Sequence, residues 1–154
     1  MAIVTYKFII DDDVTEAYKI YQHHAVISCQ IQMYLDYEHG WGKYGYTFEP
    51  VLKNQKINIY LSTPKRIQKE CGDGNLSCAE MNGKNIYLNA YRWFNGSKES
   101  QLNLNDYRQY MVSHEIGHIL GKNHKKCPCK NCPAPIMMQQ TLGIGECKSN
   151  IRLF

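Results

Sequence analysis

The 154-residue chain suits one compact domain, residues 1–154, large enough to bury a core without staples. Hydrophobic (44%) and charged (21%) fractions are those of a soluble globular protein, and no stretch approaches the roughly 18 apolar residues of a membrane span. The net charge of +4 comes from scattered lysines, with no block of like charge and no basic helix face, which argues against nucleic acid as a partner.

In chain order, residues 3–10 alternate as a first β-strand. They lack the basic start and cleavage site of a signal peptide and run into three aspartates. Asp13 and Glu16 are spaced as a capping box. The helix they would open runs to about Tyr37, with Ile20, Ile27, Ile31 and Tyr34 at helical spacing. Gly40, Gly42 and Gly45 break the chain around Trp41. Tyr46 to Leu52 and the alternating Ile57, Ile59 and Leu61 read as two further strands, the latter ended by Pro64. A helical turn is expected over Lys65 to Glu70. Cys71 to Gly83 is a Gly- and Asn-rich loop, and Asn85 to Tyr91 alternates as another strand. Asn105 to Leu120 is helical, and after Gly121 recurring prolines (Pro128, Pro133, Pro135) and clustered cysteines end regular structure. Strands early and a core helix late give an α+β class.

Residues 114–124 read His-Glu-Ile-Gly-His-Ile-Leu-Gly-Lys-Asn-His. On a helix, His114 and His118 stack on one face, so two imidazoles can share one tetrahedral zinc. Glu115, beside the first ligand, is placed to take a proton from the attacking water and pass it to the leaving amine. Gly121 suits a sharp turn with positive φ that brings His124 back as third ligand. Three protein ligands leave one position open, as catalytic zinc sites do. With six His and eight Glu, a bare His-Glu-x-x-His arises by chance in about one such chain in a hundred. Requiring Gly121 and His124 as well reduces this to roughly a few in a hundred thousand. Gly117 costs about 1 kcal/mol relative to Ala inside a helix, so either something packs tightly there or the residue is merely tolerated.

This stretch resembles the long zinc signature of the metzincin clan of metallopeptidases. The clan also carries a methionine-containing turn beneath the metal. Pro135-Ile136-Met137-Met138 occupies that place, with Met137 the better match to its wording. Ser77-Cys78, Ile86 to Asn89, Arg92-Trp93, Tyr107-Arg108, Tyr110, Cys127-Pro128, Ala134 to Thr141, Gly143 and Cys147 are similar to a little-studied bacterial family of secreted or membrane-anchored, metzincin-like domains of unknown function. Gln139-Gln140-Thr141 is the most specific part of that likeness. No export segment is visible, and Cys129 and Cys132 are additional to the family pattern. The resemblance implies a twisted mixed sheet with two main helices above a cleft. Below the cleft would lie an irregular C-terminal part holding the third ligand and the Met-turn. Of the activity the resemblance implies the reaction class alone, a zinc peptidase; one zinc ion per chain, endopeptidase action on extended peptides and a monomeric state are expected alongside it. Such peptides would add to Asn85–Tyr91 as the sheet edge.

Seven cysteines leave at least one unpaired within the chain. Their number points to an oxidising compartment, while the lack of a visible signal peptide points the other way. Cys71–Cys78, Cys127–Cys147 and Cys129–Cys132 are the favoured disulfides. The rival is a second metal site built from Cys127, Cys129 and Cys132. Cys29 is expected to be a buried free thiol. His23, His24 and His39 have no metal spacing. Tyr91 and the chain after Met137 are places to look for an oxyanion-stabilising group. Besides a peptidase, the sequence admits a catalytically silent zinc-bearing peptide-binding module and, less well, a small cysteine-rich zinc protein that binds nucleic acid. Retention of Glu115 favours the peptidase.

Overall fold

The computed structural model describes residues 2–154. The chain begins with β1 (Ala2–Ile10), followed by α1 (Asp12–Tyr18) and α2 (His24–Leu35). A 3-10 turn (Trp41–Tyr44) leads to β2 (Tyr46–Pro50), then β3 (Ile57–Ser62) and α3 (Pro64–Cys71). The short β4 (Cys78–Ala79) precedes β5 (Asn85–Asn89), α4 (Ala90–Asn95) and the long α5 (Leu104–Ile119). The sheet order is β2-β1-β3-β5-β4. β1, β2, β3 and β5 run parallel, and β4 pairs antiparallel with β5. This is the α+β architecture with a mixed sheet expected from the sequence.

Alternation places Tyr6, Ile57, Ile59, Leu61, Ile86 and Leu88 in the core, nearly or wholly without exposure. The two longest helices, α2 and α5, are joined by polar contacts. Gln109 Nε2 donates to Tyr34 O at 2.9 Å. Tyr34 Oη donates to Asn105 Oδ1 at 2.8 Å. After α5 the only regular features among the described residues are a 3-10 turn at Gln140–Leu142 and one bridge between Pro133 and Lys148.

Several expectations need correction. The single helix from Asp13 to Tyr37 is two helices. Lys19 adopts a left-handed conformation (φ 54°) and ends α1, so Ile20 enters the core from the connection. The capping box does not form. The N-cap is Asp11, two residues earlier, so the helix starts at Asp12, and the Asp11 carboxylate accepts instead from Ser62 Oγ (2.7 Å) and Arg66 (2.6 Å). Asp13 accepts from Thr63 Oγ1. The strand expected over Asn85–Tyr91 stops at Asn89, whose side chain caps α4 by accepting from the Arg92 N–H. Nor is β5 the sheet edge, because β4 covers it at Ile86 and Tyr87. That two-residue strand lies in a segment read from sequence as pure loop. Cys29 is a free thiol but exposed, not buried.

Candidate metal centre

The centre is built on α5, whose residues from Gln109 to His118 are all buried. Asn103 starts the helix by accepting from the Asp106 N–H at 2.8 Å. The end is a Schellman-type turn. Lys122 N–H donates to Gly117 O (2.8 Å) and Gly121 N–H to His118 O (2.9 Å). Gly121 has φ 85°, a conformation that favours glycine, and the Asn82 carboxamide lies against it. The turn sends the chain back toward the helix with His124 on it. Lys125 N–H then donates to Met137 O at 3.0 Å, tying the residue after His124 to the tight turn at Pro135–Met138.

His114, His118 and His124 come together, each offering one nitrogen, and the three nitrogens lie within 4.8 Å of one another. They are the one such group of His, Cys, Asp or Glu among the described residues. His114 Nδ1 donates to Ile136 O at 2.7 Å and His118 Nδ1 to Lys122 O at 2.8 Å. A carbonyl can only accept, so both rings carry their proton on Nδ1 and leave Nε2 bare toward the cluster. His118 Nε2 and His124 Nε2 are 3.0 Å apart. Burial lowers the pKa of all three imidazoles, that of His114 to about 3, and the neighbouring rings lower those of His114 and His124 further. Three converging neutral imidazoles are a donor set that can hold a metal ion.

Glu115 is buried at 4% exposure beside this cluster. Its Oε1 lies 4.0 Å from His114 Nε2. The two do not form an ion pair, since burial keeps the imidazole neutral and raises the Glu115 pKa to about 8. Glu115 Oε2 has no hydrogen-bond partner, the only such buried side-chain atom among the described residues. A buried oxygen without a protein partner is costly unless a water, an ion or a ligand satisfies it.

The cluster opens on a cleft of about 270 Å³. One wall is the segment from Asp73 to Met81, and another holds Gln139 and Thr141. Tyr107 and Tyr110 also line it, a helical turn or two before His114. Helical spacing from His114 identifies them, and Ser77 belongs to the family likeness, whereas nothing in the sequence marks Leu76. Tyr110 Oη donates to Met138 O (2.9 Å) and accepts from Gln140 N–H (3.0 Å), so it clamps the backbone on both sides of Gln139. Tyr107 Oη pairs with Thr141 Oγ1 at 2.8 Å. Tyr91 lies on α4, half exposed, and does not line the cleft. The buried Met137 packs against the helix at Gly117, where a Cβ would come within 2.2 Å of its Sδ.

The structure joins Cys71 to Cys78, Cys127 to Cys147 and Cys129 to Cys132. Cys127, Cys129 and Cys132, the residues of the rival metal site, each lie in one of these pairs. Three such pairs are compatible with an oxidising or secreted compartment. No helix among the described residues is long and apolar enough to cross a membrane.

A family model described as a protein of unknown function (DUF3152) matches residues 2–151. The chain belongs to this family. No curated protein matches it. Among solved structures, archaemetzincin from Methanopyrus kandleri is similar with a TM-score of 0.53 at 13% identity, over 96% of this chain and 88% of that one. Myroilysin is similar with a TM-score of 0.48 at 18% identity, over 86% of this chain, which spans 49% of the myroilysin chain. The likeness to archaemetzincin identifies the fold of this DUF3152 chain as metzincin-like and concerns the fold alone.

Proposed function

We propose that the protein is a zinc-dependent peptidase in which His114, His118 and His124 hold the metal and Glu115 is the general base. The observation that carries this reading is the buried carboxylate of Glu115, with one oxygen unpartnered, 4.0 Å from the bare nitrogen of His114. The donor set fits zinc: neutral nitrogen ligands, two of them oriented by backbone carbonyls. A bound zinc ion supplies Lewis acidity that activates water and polarises the scissile carbonyl.

The chain's own residues do the rest. Ile136 O and Lys122 O hold the imidazoles in the ligating tautomer. Glu115 accepts the proton of the attacking water at its free oxygen and delivers it to the leaving nitrogen, which cannot depart as an anion. A dication beside Glu115 favours the carboxylate and offsets the effect of burial. Met137 serves as the Met-turn, supporting the helix at Gly117 beneath the ligands. The cleft accepts an extended peptide.

Elemental analysis and a peptide-library assay test this. One zinc per chain is expected, and His114→Ala or His118→Ala should remove it, since two imidazoles do not hold zinc tightly. Library cleavage should be lost to a chelator and restored by zinc. Full zinc in either variant would overturn the ligand assignment. A zinc-loaded protein that leaves a broad library intact would favour a silent zinc-bearing binding module.

A further inference from the structure

On the far side of the turn at Pro135–Met138 lies a second, larger cavity of about 650 Å³, within the range of small-molecule sites. It shares no lining residue with the cleft over Glu115. Its apolar wall includes Trp41, Tyr44, Tyr46, Met137 and Phe154. Its charged side chains are all cationic, Lys122, Lys125 and Arg152, with no Asp or Glu, and Phe154, the last residue of the sequence, lies on the same wall. None of these three has an ion-pair partner among the described residues. A concave aromatic wall whose charged side chains are all cationic matches a ligand with an apolar body and an anionic head. A second copy docked by the same face would bring the two sets of cations together, which disfavours self-association there.

The same wall supports the histidine cluster. Ile136, whose carbonyl orients His114, and Lys122, whose carbonyl orients His118, both line this cavity. Met137 lines it as well and contacts α5 at Gly117. A ligand in this cavity would touch the residues whose carbonyls orient two of the imidazoles.

We propose that this cavity binds a small amphipathic carboxylate, and that its occupation alters the metal affinity of the three-histidine cluster. The second part rests on the metal reading above; the first does not. Titration calorimetry with 4-phenylbutyrate and its uncharged amide tests the site. The carboxylate should bind more tightly than the amide. Lys125→Gln/Arg152→Gln should weaken the carboxylate about fivefold and leave the amide unchanged, as expected for two exposed charges. Tyr44→Ala, a change at a half-exposed aromatic wall, should weaken both. Equal affinity for acid and amide, indifference to the double charge variant, or no binding at all would overturn the site. Self-association that occludes the cavity, seen by sedimentation, would assign it to a second copy and also overturn it. For the coupling, zinc affinity measured by chelator competition should change at least about twofold with saturating 4-phenylbutyrate. By linkage, 4-phenylbutyrate affinity should change by the same factor with zinc. An unchanged zinc affinity would overturn the coupling. A chain that binds no zinc would overturn the metal reading and the coupling with it, while the calorimetry still decides the cavity.

Discussion

At the scale of single residues, Glu115 and the imidazoles beside it hold opposite perturbations for one reason: burial disfavours whichever form is charged. In the proposed reaction Glu115→Gln keeps shape but cannot accept a proton. It should retain zinc while kcat falls by at least about a hundredfold, since general acid–base help is worth roughly 10²- to 10⁴-fold. Near-wild-type turnover with full zinc would place the base elsewhere. The metal-free protein should also report the burial of Glu115. Its folded pKa of about 8 lies above the ordinary 4.5, so between these values the folded state keeps a proton that the unfolded chain has lost. Stability therefore falls as pH rises through that window, by about 1.4 kcal/mol per pH unit. His114 acts in the opposite sense. Its folded pKa of about 3 lies below 6.5, so its contribution is lost as pH falls below 6.5. From pH 6.5 to 8 Glu115 acts without that opposition, and chemical denaturation in chelator should show a loss of about 2 kcal/mol. The loss should be absent in Glu115→Gln; an equal loss in that variant would assign it to another group.

At the scale of elements, α5 is buried around most of its circumference, so it shows no amphipathic stripe, and its ligand spacing is what makes it legible as a helix. Gly117 is closely packed. A Cβ there would meet Met137 Sδ at 2.2 Å and Trp41 Cζ2 at 3.0 Å, and Trp41 is itself held by its Nε1 donating to Ser113 O at 2.8 Å. Gly117→Ala gains about 1 kcal/mol of helix propensity, but overpacking of this kind costs typically about 1–3 kcal/mol. The variant should be destabilised in urea and bind zinc more weakly, and Met137→Ala in the same chain should recover part of the zinc affinity. A stabilised Gly117→Ala would show that Met137 moves aside freely. Other elements were less legible. The spacing of Ile20, Ile27, Ile31 and Tyr34 is helical throughout, yet the chain turns at Lys19, because periodicity reports which residues face the core and not whether the backbone between them is continuous.

At the scale of the whole molecule, the layered sheet and helices form one half of the site, and the other half is irregular chain after Gly121. Cys127–Cys147 closes a loop of 20 residues around the turn that carries Met137. Replacing both cysteines with serine should cost roughly 3 kcal/mol in the chain-entropy model. That corresponds to a fall in Tm of about 6–12 °C for a chain of this size, and zinc binding should weaken with it, because Lys125 is anchored to Met137 O. A shift under about 2 °C in calorimetry would mean that the segment is held by its other contacts. Those contacts include Gln140, whose carboxamide donates to Asn150 O at 2.9 Å and accepts from Asn150 N–H at 3.1 Å.

The sequence by itself determined the α+β class and the histidine spacing on one helical face. It also marked the glycine that ends that helix, because these are local properties of periodicity and backbone conformation. Only the tertiary structure decided what lies opposite them. It brought Ile136 O and Lys122 O behind the imidazoles, placed Met137 against Gly117, and left one oxygen of Glu115 without a partner. It also covered β5 with a two-residue strand and exposed Cys29. The contacts of Ile136 O with His114 and of Met137 with Gly117 join residues twenty or more apart in the chain, where packing and the satisfaction of buried polar groups outweigh local preference.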